Sequence, residues 1–165
     1  MKVFGITGWK NAGKTTLVER LVADITGRGL RVSTVKHAHH DFDIDQPGRD
    51  SHRHRMAGAA QVLVASARRW ALITELRGAP EPPLAALLAT LAPVDLVLVE
   101  GFKREALPRI EIRRAAAPHP PIAPGDPWVV AIASDLALPD AGLPVLPLDS
   151  PAEIADFILT HVGLA

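Results

Sequence analysis

One nine-residue stretch restricts the fold of this chain more than any other feature. Gly8-Trp9-Lys10-Asn11-Ala12-Gly13-Lys14-Thr15-Thr16 stands between a short apolar run and a helical pattern. It matches Gly-x-x-x-x-Gly-Lys-Thr at Gly8, Gly13, Lys14 and Thr15. Before it, Val3-Phe4-Gly5-Ile6-Thr7 reads as a buried strand. After it, Leu17, Val18, Leu21, Val22 and Ile25 recur at helical spacing, and Gly27 and Gly29 end the pattern. The β-branched run Arg31-Val32-Ser33-Thr34-Val35-Lys36 is a second strand. Strand, turn, helix and strand in this order form a βαβ unit, with parallel pairing and a right-handed crossover. The predicted fold is α/β: a three-layer phosphate-loop NTPase architecture, with a mostly parallel central sheet and helices on both faces. The prediction is one nucleotide-binding domain over residues 1–165.

The spacing of the loop follows from its chemistry. Its glycines let the backbone curl, so that consecutive N–H groups around Asn11, Ala12 and Gly13 turn toward phosphate oxygens. The helix that follows adds its positive N-terminal end. Lys14 is placed to reach the β- and γ-phosphates, and the Thr15 hydroxyl to ligate magnesium. Thr16 is a candidate donor to the α-phosphate.

Such a loop needs a carboxylate at the end of another inner strand to hold the magnesium shell. Leu96-Val97-Leu98-Val99 is the most strand-like run in the chain, and Glu100 and Gly101 follow it. Glu100 is therefore a metal and catalytic candidate, and the Gly101 N–H is a candidate contact to the γ-phosphate. Asp95, at the entering end of that run, is read as structural. The stretch His37-Ala38-His39-His40-Asp41-Phe42-Asp43-Ile44-Asp45 is a second acidic candidate. Asp41 and Asp43 could hold magnesium through water, and Asp41 could orient a nucleophile. His37, His39 and His40 are alternatively ligands for a transition metal. The basic run Arg49, His52, Arg53, His54 and Arg55 is ordinarily a solvated helix face, but facing a cleft Arg49, Arg53 and Arg55 could bind an anionic ligand or cofactor. The length and polarity of residues 37–55 also suit an element that closes over a bound nucleotide.

The remaining chain supplies further elements. A short helix is predicted from Asp50 or Ser51 to about Gly58. Gln61-Val62-Leu63-Val64-Ala65 and Trp70-Ala71-Leu72-Ile73-Thr74 read as two strands. Residues 84–91 read as a helix and Arg109-Ile110-Glu111-Ile112 as a half-exposed strand. Residues 118–127 are a proline-rich surface loop, residues 129–133 and 145–146 are strands, and residues 152–161 form a closing helix. Lysine plus arginine number 18, as do aspartate plus glutamate. That balance argues against a general nucleic-acid binder or an anionic-membrane binder. There is no cysteine, and the chain opens on a strand rather than a signal peptide. Cytoplasmic localisation is the expectation.

The phosphate loop, the Lys36–Ser51 stretch containing His-His-Asp-x-Asp-x-Asp-x-Pro-Gly, Ala57-Gly58-Ala59 and Val99-Glu100-Gly101-Phe102-Lys103 together resemble the MobB family. These are the molybdopterin-guanine dinucleotide biosynthesis proteins B. The similarity runs in order from residue 1 to beyond Ser134-Asp135. It implies a GTP-binding protein with weak magnesium-dependent GTPase activity, of the class containing the nickel-insertion and signal-recognition GTPases. It also implies a homodimer that assists the molybdenum cofactor guanylyltransferase, which joins GMP to molybdopterin; molybdopterin itself is a candidate ligand. By position Gly13, Lys14, Thr15 and Thr16 match the family's nucleotide site, and Glu100 with Gly101 its second nucleotide motif.

The chain lacks the Asn-Lys-x-Asp signature that fixes guanine in many GTPases. Ser134 and Asp135 are the candidates for that task, since a carboxylate can accept both donors of guanine; the same pair also suits a turn or helix cap. Two other functions carry the same loop. One is a small-molecule kinase, with the basic run as its lid. The other is a metal-delivery GTPase using His37, His39 and His40.

Overall fold

The computed structural model describes residues 1–38 and 42–165. The chain forms two compact units, one of residues Met1–His37 with Leu87–Ala165 and one of residues Ala38–Ala86.

The first unit is a six-stranded sheet. Its strands are β1 (Lys2–Thr7), β2 (Val32–Lys36), β5 (Leu96–Glu100), β6 (Arg109–Arg113), β7 (Val129–Ser134) and β8 (Val145–Pro147), in the order β2-β5-β1-β6-β7-β8. Every pairing in it is parallel. Helices α1 (Lys14–Gly27) and α4 (Pro151–Val162) share one core with it. Period-2 alternation places Phe4, Ile6, Leu96, Leu98, Ile110 and Ile112 in that core, against Leu17, Leu21 and Ile25 of α1 and Ile154 and Ile158 of α4. The alternate residues Val97, Val99 and Ile132 are buried too. A sheet covered on both faces has near-continuous apolar strands, as β5 does. α1 ends as its glycines predict: Gly29 has φ 88° and Leu30 N–H turns back to the Ile25 carbonyl. Because all six strands run the same way, their carboxyl ends gather at one edge.

β6 corrects the expectation of a half-exposed strand. Its polar residues are inside: Arg109 and Glu111 are each 1 % exposed. The Arg109 guanidinium donates to the carbonyls of Lys103, Glu105 and Leu107 and lies 3.5 Å from Asp126 Oδ2. The Glu111 carboxylate accepts the N–H groups of Ile122 and Ala123 at 2.8 and 2.9 Å. Alternation marked these residues as wet, but they anchor two loops, Arg109 the one just before β6 and Glu111 the one around Ile122.

The second unit contains α2 (Asp50–Met56) and the antiparallel hairpin β3 (Gln61–Ala65) and β4 (Trp70–Thr74). Leu63, Trp70 and Leu72 of that hairpin are exposed apolar residues. The short helix α3 (Leu84–Ala89) follows and leads back to β5.

Candidate functional site

The phosphate loop joins β1 to α1. Gly8, Asn11 and Gly13 have φ of 152°, 65° and 95°, so the two motif glycines stand where side chains are disfavoured. Gly13 is the N-cap residue of α1, which has no side-chain cap and no acid in its first turn. Its first N–H groups are thus left to a ligand rather than to the protein. Lys14 Nζ folds over the loop and donates to the carbonyls of Gly8 and Trp9 at 3.0 and 2.8 Å. Burial lowers the pKa of Lys14 below the ordinary 10.5, Glu100 opposes this, and Lys103 and Lys36 add to it. An anion at this spot would relieve three ammonium groups at once. Trp9 leans out of the loop, its indole N–H donating to the Pro120 carbonyl at 2.8 Å. The Lys103 ammonium lies 5.0 Å from the Trp9 ring centroid, and the His119 ring lies 5.6 Å from it.

Glu100 is the last residue of β5 and is 8 % exposed. Register pairs it with Ile6 on one side and with Lys36 on the other. Lys36 Nζ lies 3.6 Å from Glu100 Oε1 and 3.3 Å from Thr15 Oγ1. A hydroxyl and a carboxylate therefore already converge on a positive charge. Those are hard oxygen donors of the kind magnesium takes, so Thr15 and Glu100 fit the predicted metal. Lys36 escaped the sequence reading. Its position at a strand end in register with Glu100 was the available signal, but register is not visible in a single sequence. Gly101 has φ 96°, and a Cβ there would lie 2.7 Å from His37 Cβ. The strand ends of β2 and β5 are thus pressed together, and His37 N–H donates to the Glu100 carbonyl at 2.9 Å. The His37 ring rests 4.8 Å from that of Phe102.

Beside the loop, a cavity of about 640 Å³ opens between Gly13 and Thr16 and the segments after β7 and β8. Ser134 and Asp135 line it, as do Arg20, Arg114 and Asp149. Ser134 is occupied in holding its walls: its hydroxyl accepts Leu136 N–H and its carbonyl accepts Leu148 N–H. Asp135 Oδ1 accepts Ala115 N–H at 2.7 Å, and Oδ2 lies 3.7 Å from Arg114 Nε.

The family model described as Molybdopterin guanine dinucleotide synthesis protein B matches residues 3–135. The chain belongs to the MobB family. Two relatives are each described as a molybdopterin-guanine dinucleotide biosynthesis adapter protein. That of Escherichia coli (strain K12) is 40 % identical over 160 residues, covering 95 % of this chain and 91 % of the relative. That of Haemophilus influenzae is 41 % identical over 163 residues, covering 94 % and 86 %. A crystal structure of a MobB homologue from Bacillus stearothermophilus superposes with a TM-score of 0.69 at 28 % identity, over the whole of both chains. A crystal structure of molybdopterin-guanine biosynthesis protein B gives 0.75 at 27 % identity, over 96 % of this chain and 99 % of the other. The expected α/β architecture, a mostly parallel sheet with helices, is that of MobB structures.

The MobB stretch between β2 and α2 differs in part from expectation. His39, His40 and Asp41 lie outside the described residues. Asp43 is paired with Arg55, Nη2 to Oδ1 at 2.7 Å. Arg55, read as able to face an anion, is corrected: its side chain is 14 % exposed and bonds Asp43, Asp45 and Glu75. Three carboxylates take most of its donors, and the hydrogen bonds to Glu75 and then Asp45 raise its pKa further. Arg49 precedes α2 in an extended conformation, and Arg53 stands 3.9 Å from Asp50 on the exposed helix face. No helix among the described residues is long and apolar enough to cross a membrane.

Proposed function

We propose that this chain is an adapter of molybdopterin guanine dinucleotide biosynthesis that binds GTP with magnesium and hydrolyses it slowly. The observation that carries the nucleotide reading is the convergence of Lys14, Thr15 and Glu100 at the carboxyl edge of the sheet. Lys14 pairs with the β- and γ-phosphates, and the backbone N–H groups from Gly13 to Thr16 surround them, while Ala12 N–H donates to the Trp9 carbonyl at 3.2 Å. Thr15 and Glu100 would hold magnesium, which when bound offsets phosphate charge and polarises the attacking water. Gly101 N–H is available to the terminal phosphate, since the backbone there carries no side chain to fend it off. The adapter role follows the relatives' descriptions, and the partner it implies is the guanylyltransferase that attaches GMP to molybdopterin. Exposed Leu63, Trp70 and Leu72 support a homodimer, because clustered exposed apolar side chains commonly mark interfaces.

Calorimetric titration of GTP, ATP and molybdopterin into the purified chain, with and without magnesium, tests the ligand reading. Magnesium-dependent GTP binding is the expected outcome. For the adapter role, the chain is added to a guanylyltransferase reaction and the guanine dinucleotide product is measured. A yield indifferent to the chain would sink that role.

A further inference from the structure

We propose that the Asp149 carboxylate selects guanine, reading the base from the wall that the turn after β8 contributes to the cavity beside the phosphate loop. The proposal rests on the nucleotide reading above and names the specificity element of the same site.

The cavity begins at Gly13 and Thr16, where the phosphates belong, and is closed by the two turns that leave β7 and β8. These strands are parallel, with Ser134 opposite Pro147. Asp135 and Asp149 therefore both stand at the ligand-binding edge, and both line the cavity. What each carboxylate already does separates them. Asp135 accepts Ala115 N–H at 2.7 Å and faces Arg114, so it ties down the turn after β6. Those two contacts fix its orientation toward the turn and take part of its acceptor capacity, so a base meeting it edge-on would have to share both oxygens with them. Asp149 has no such duty: among the described residues, no hydrogen bond or ion pair engages its carboxylate.

The backbone that carries Asp149 is nevertheless held. Leu148 N–H donates to the Ser134 carbonyl at 3.0 Å, and Ser150 N–H to the Pro147 carbonyl at 3.1 Å. α4 then starts at Pro151. An unspent acceptor on a fixed turn is what a recognition site requires, because little ordering is left for the ligand to drive. Leu136, Val145, Leu146 and Leu148 supply apolar wall for a planar ring.

The chemistry then discriminates. Guanine presents its N1–H and its exocyclic amine side by side, two parallel donors for two carboxylate oxygens. Adenine offers one amine beside an unprotonated ring nitrogen, whose lone pair would face a carboxylate oxygen. Asp149 is exposed in the chain alone, but a ring lying on the apolar wall would take its carboxylate out of water, and a mismatched base would then leave that acceptor without a partner.

Asp149 also precedes the N-terminus of α4, where a negative charge stabilises a helix through its dipole. That role would show in stability and not in base choice, so the two are separable. The experiment measures GTP, ATP and XTP binding by calorimetry with magnesium, for the natural chain and for Asp149→Asn and Asp149→Ala, alongside thermal melting. Xanthine replaces guanine's amine by a carbonyl, which an asparagine amide can donate to while its own carbonyl accepts N1–H. Asp149→Asn should lose GTP affinity by roughly tenfold or more and gain for XTP. Asp149→Ala should lose guanine preference and gain none for XTP. An unaltered GTP-to-XTP ratio in Asp149→Asn overturns the proposal, whether or not melting falls. So does a natural chain that binds GTP and ATP equally, although the nucleotide site then stands. If the natural chain binds no triphosphate, the nucleotide reading falls and the proposal with it.

Discussion

Lys36 and Glu100 end neighbouring strands in register, and their side chains meet at 3.6 Å, Nζ to Oε1. The same ammonium is 3.3 Å from the Thr15 hydroxyl, so a tethered cation spans the two proposed magnesium ligands. A metal at this spot has to displace it. Lys36→Met should therefore lower the magnesium concentration that half-saturates GTP binding. The Lys36 side chain is 57 % exposed, so the pair contributes only about 0–1 kcal/mol to the fold and melting should hardly move. A weaker GTP affinity at saturating magnesium would instead make Lys36 a phosphate ligand.

Lys14→Ala should cut GTP affinity roughly tenfold to a hundredfold, since charge-assisted contacts contribute about 1.5–3 kcal/mol each. The fold should survive, because among the described residues the ammonium bonds only the loop carbonyls of Gly8 and Trp9. Burial lowers the Lys14 pKa, whereas bound phosphate favours the charged form and raises it. GTP binding thus takes up a proton: affinity is full below the lowered Lys14 pKa and declines above it. The decline should begin at lower pH than the ordinary lysine value of 10.5 would suggest, and Lys14→Ala should lack it. Native circular dichroism with undiminished affinity in the variant would refute the role.

Glu100→Gln retains shape and loses charge. Turnover should fall by roughly tenfold or more, while GTP binding at high magnesium falls less. Single-turnover hydrolysis and equilibrium binding on the same preparation separate the two. Equal losses would mean that the residue serves the sheet rather than the reaction.

In the second unit Arg55 gathers Asp43, Asp45 and Glu75 around one guanidinium. Arg55→Ala leaves three carboxylates facing one another, and Arg55→Lys replaces a planar fork by a single point that cannot span them. Both should speed hydrogen exchange across α2 and the β3–β4 hairpin, leaving the six-stranded unit unaffected. Protection retained in the lysine variant would show that charge alone suffices.

Much of this was legible in the residues themselves. Gly8, Gly13, Lys14 and Thr15 announce the loop, and the hairpin strands run over the same residues that the apolar runs predict, Gln61–Ala65 and Trp70–Thr74. What stayed hidden depends on which partner a side chain meets once the chain is folded. Alternation in β6 reads the same whether Arg109 meets water or the carbonyls of Lys103, Glu105 and Leu107. Arg55 in a basic run looks solvated until Glu75, twenty residues on, is seen beside it. Lys36 acquires meaning only through the parallel register that sets it against Glu100.

Trp9 gives the loop an optical voice. The chain has three tryptophans. Trp70 belongs to the second unit, and Trp128 precedes β7 at the edge opposite the phosphate loop. Only Trp9 sits within that loop, with an ammonium over its ring and its N–H engaged. Indole emission follows nearby charge and hydrogen bonding, so an anion that draws Lys103 off the ring changes the light the protein emits. Occupancy of the site can thus be followed in the unlabelled chain, in real time and without a modified nucleotide.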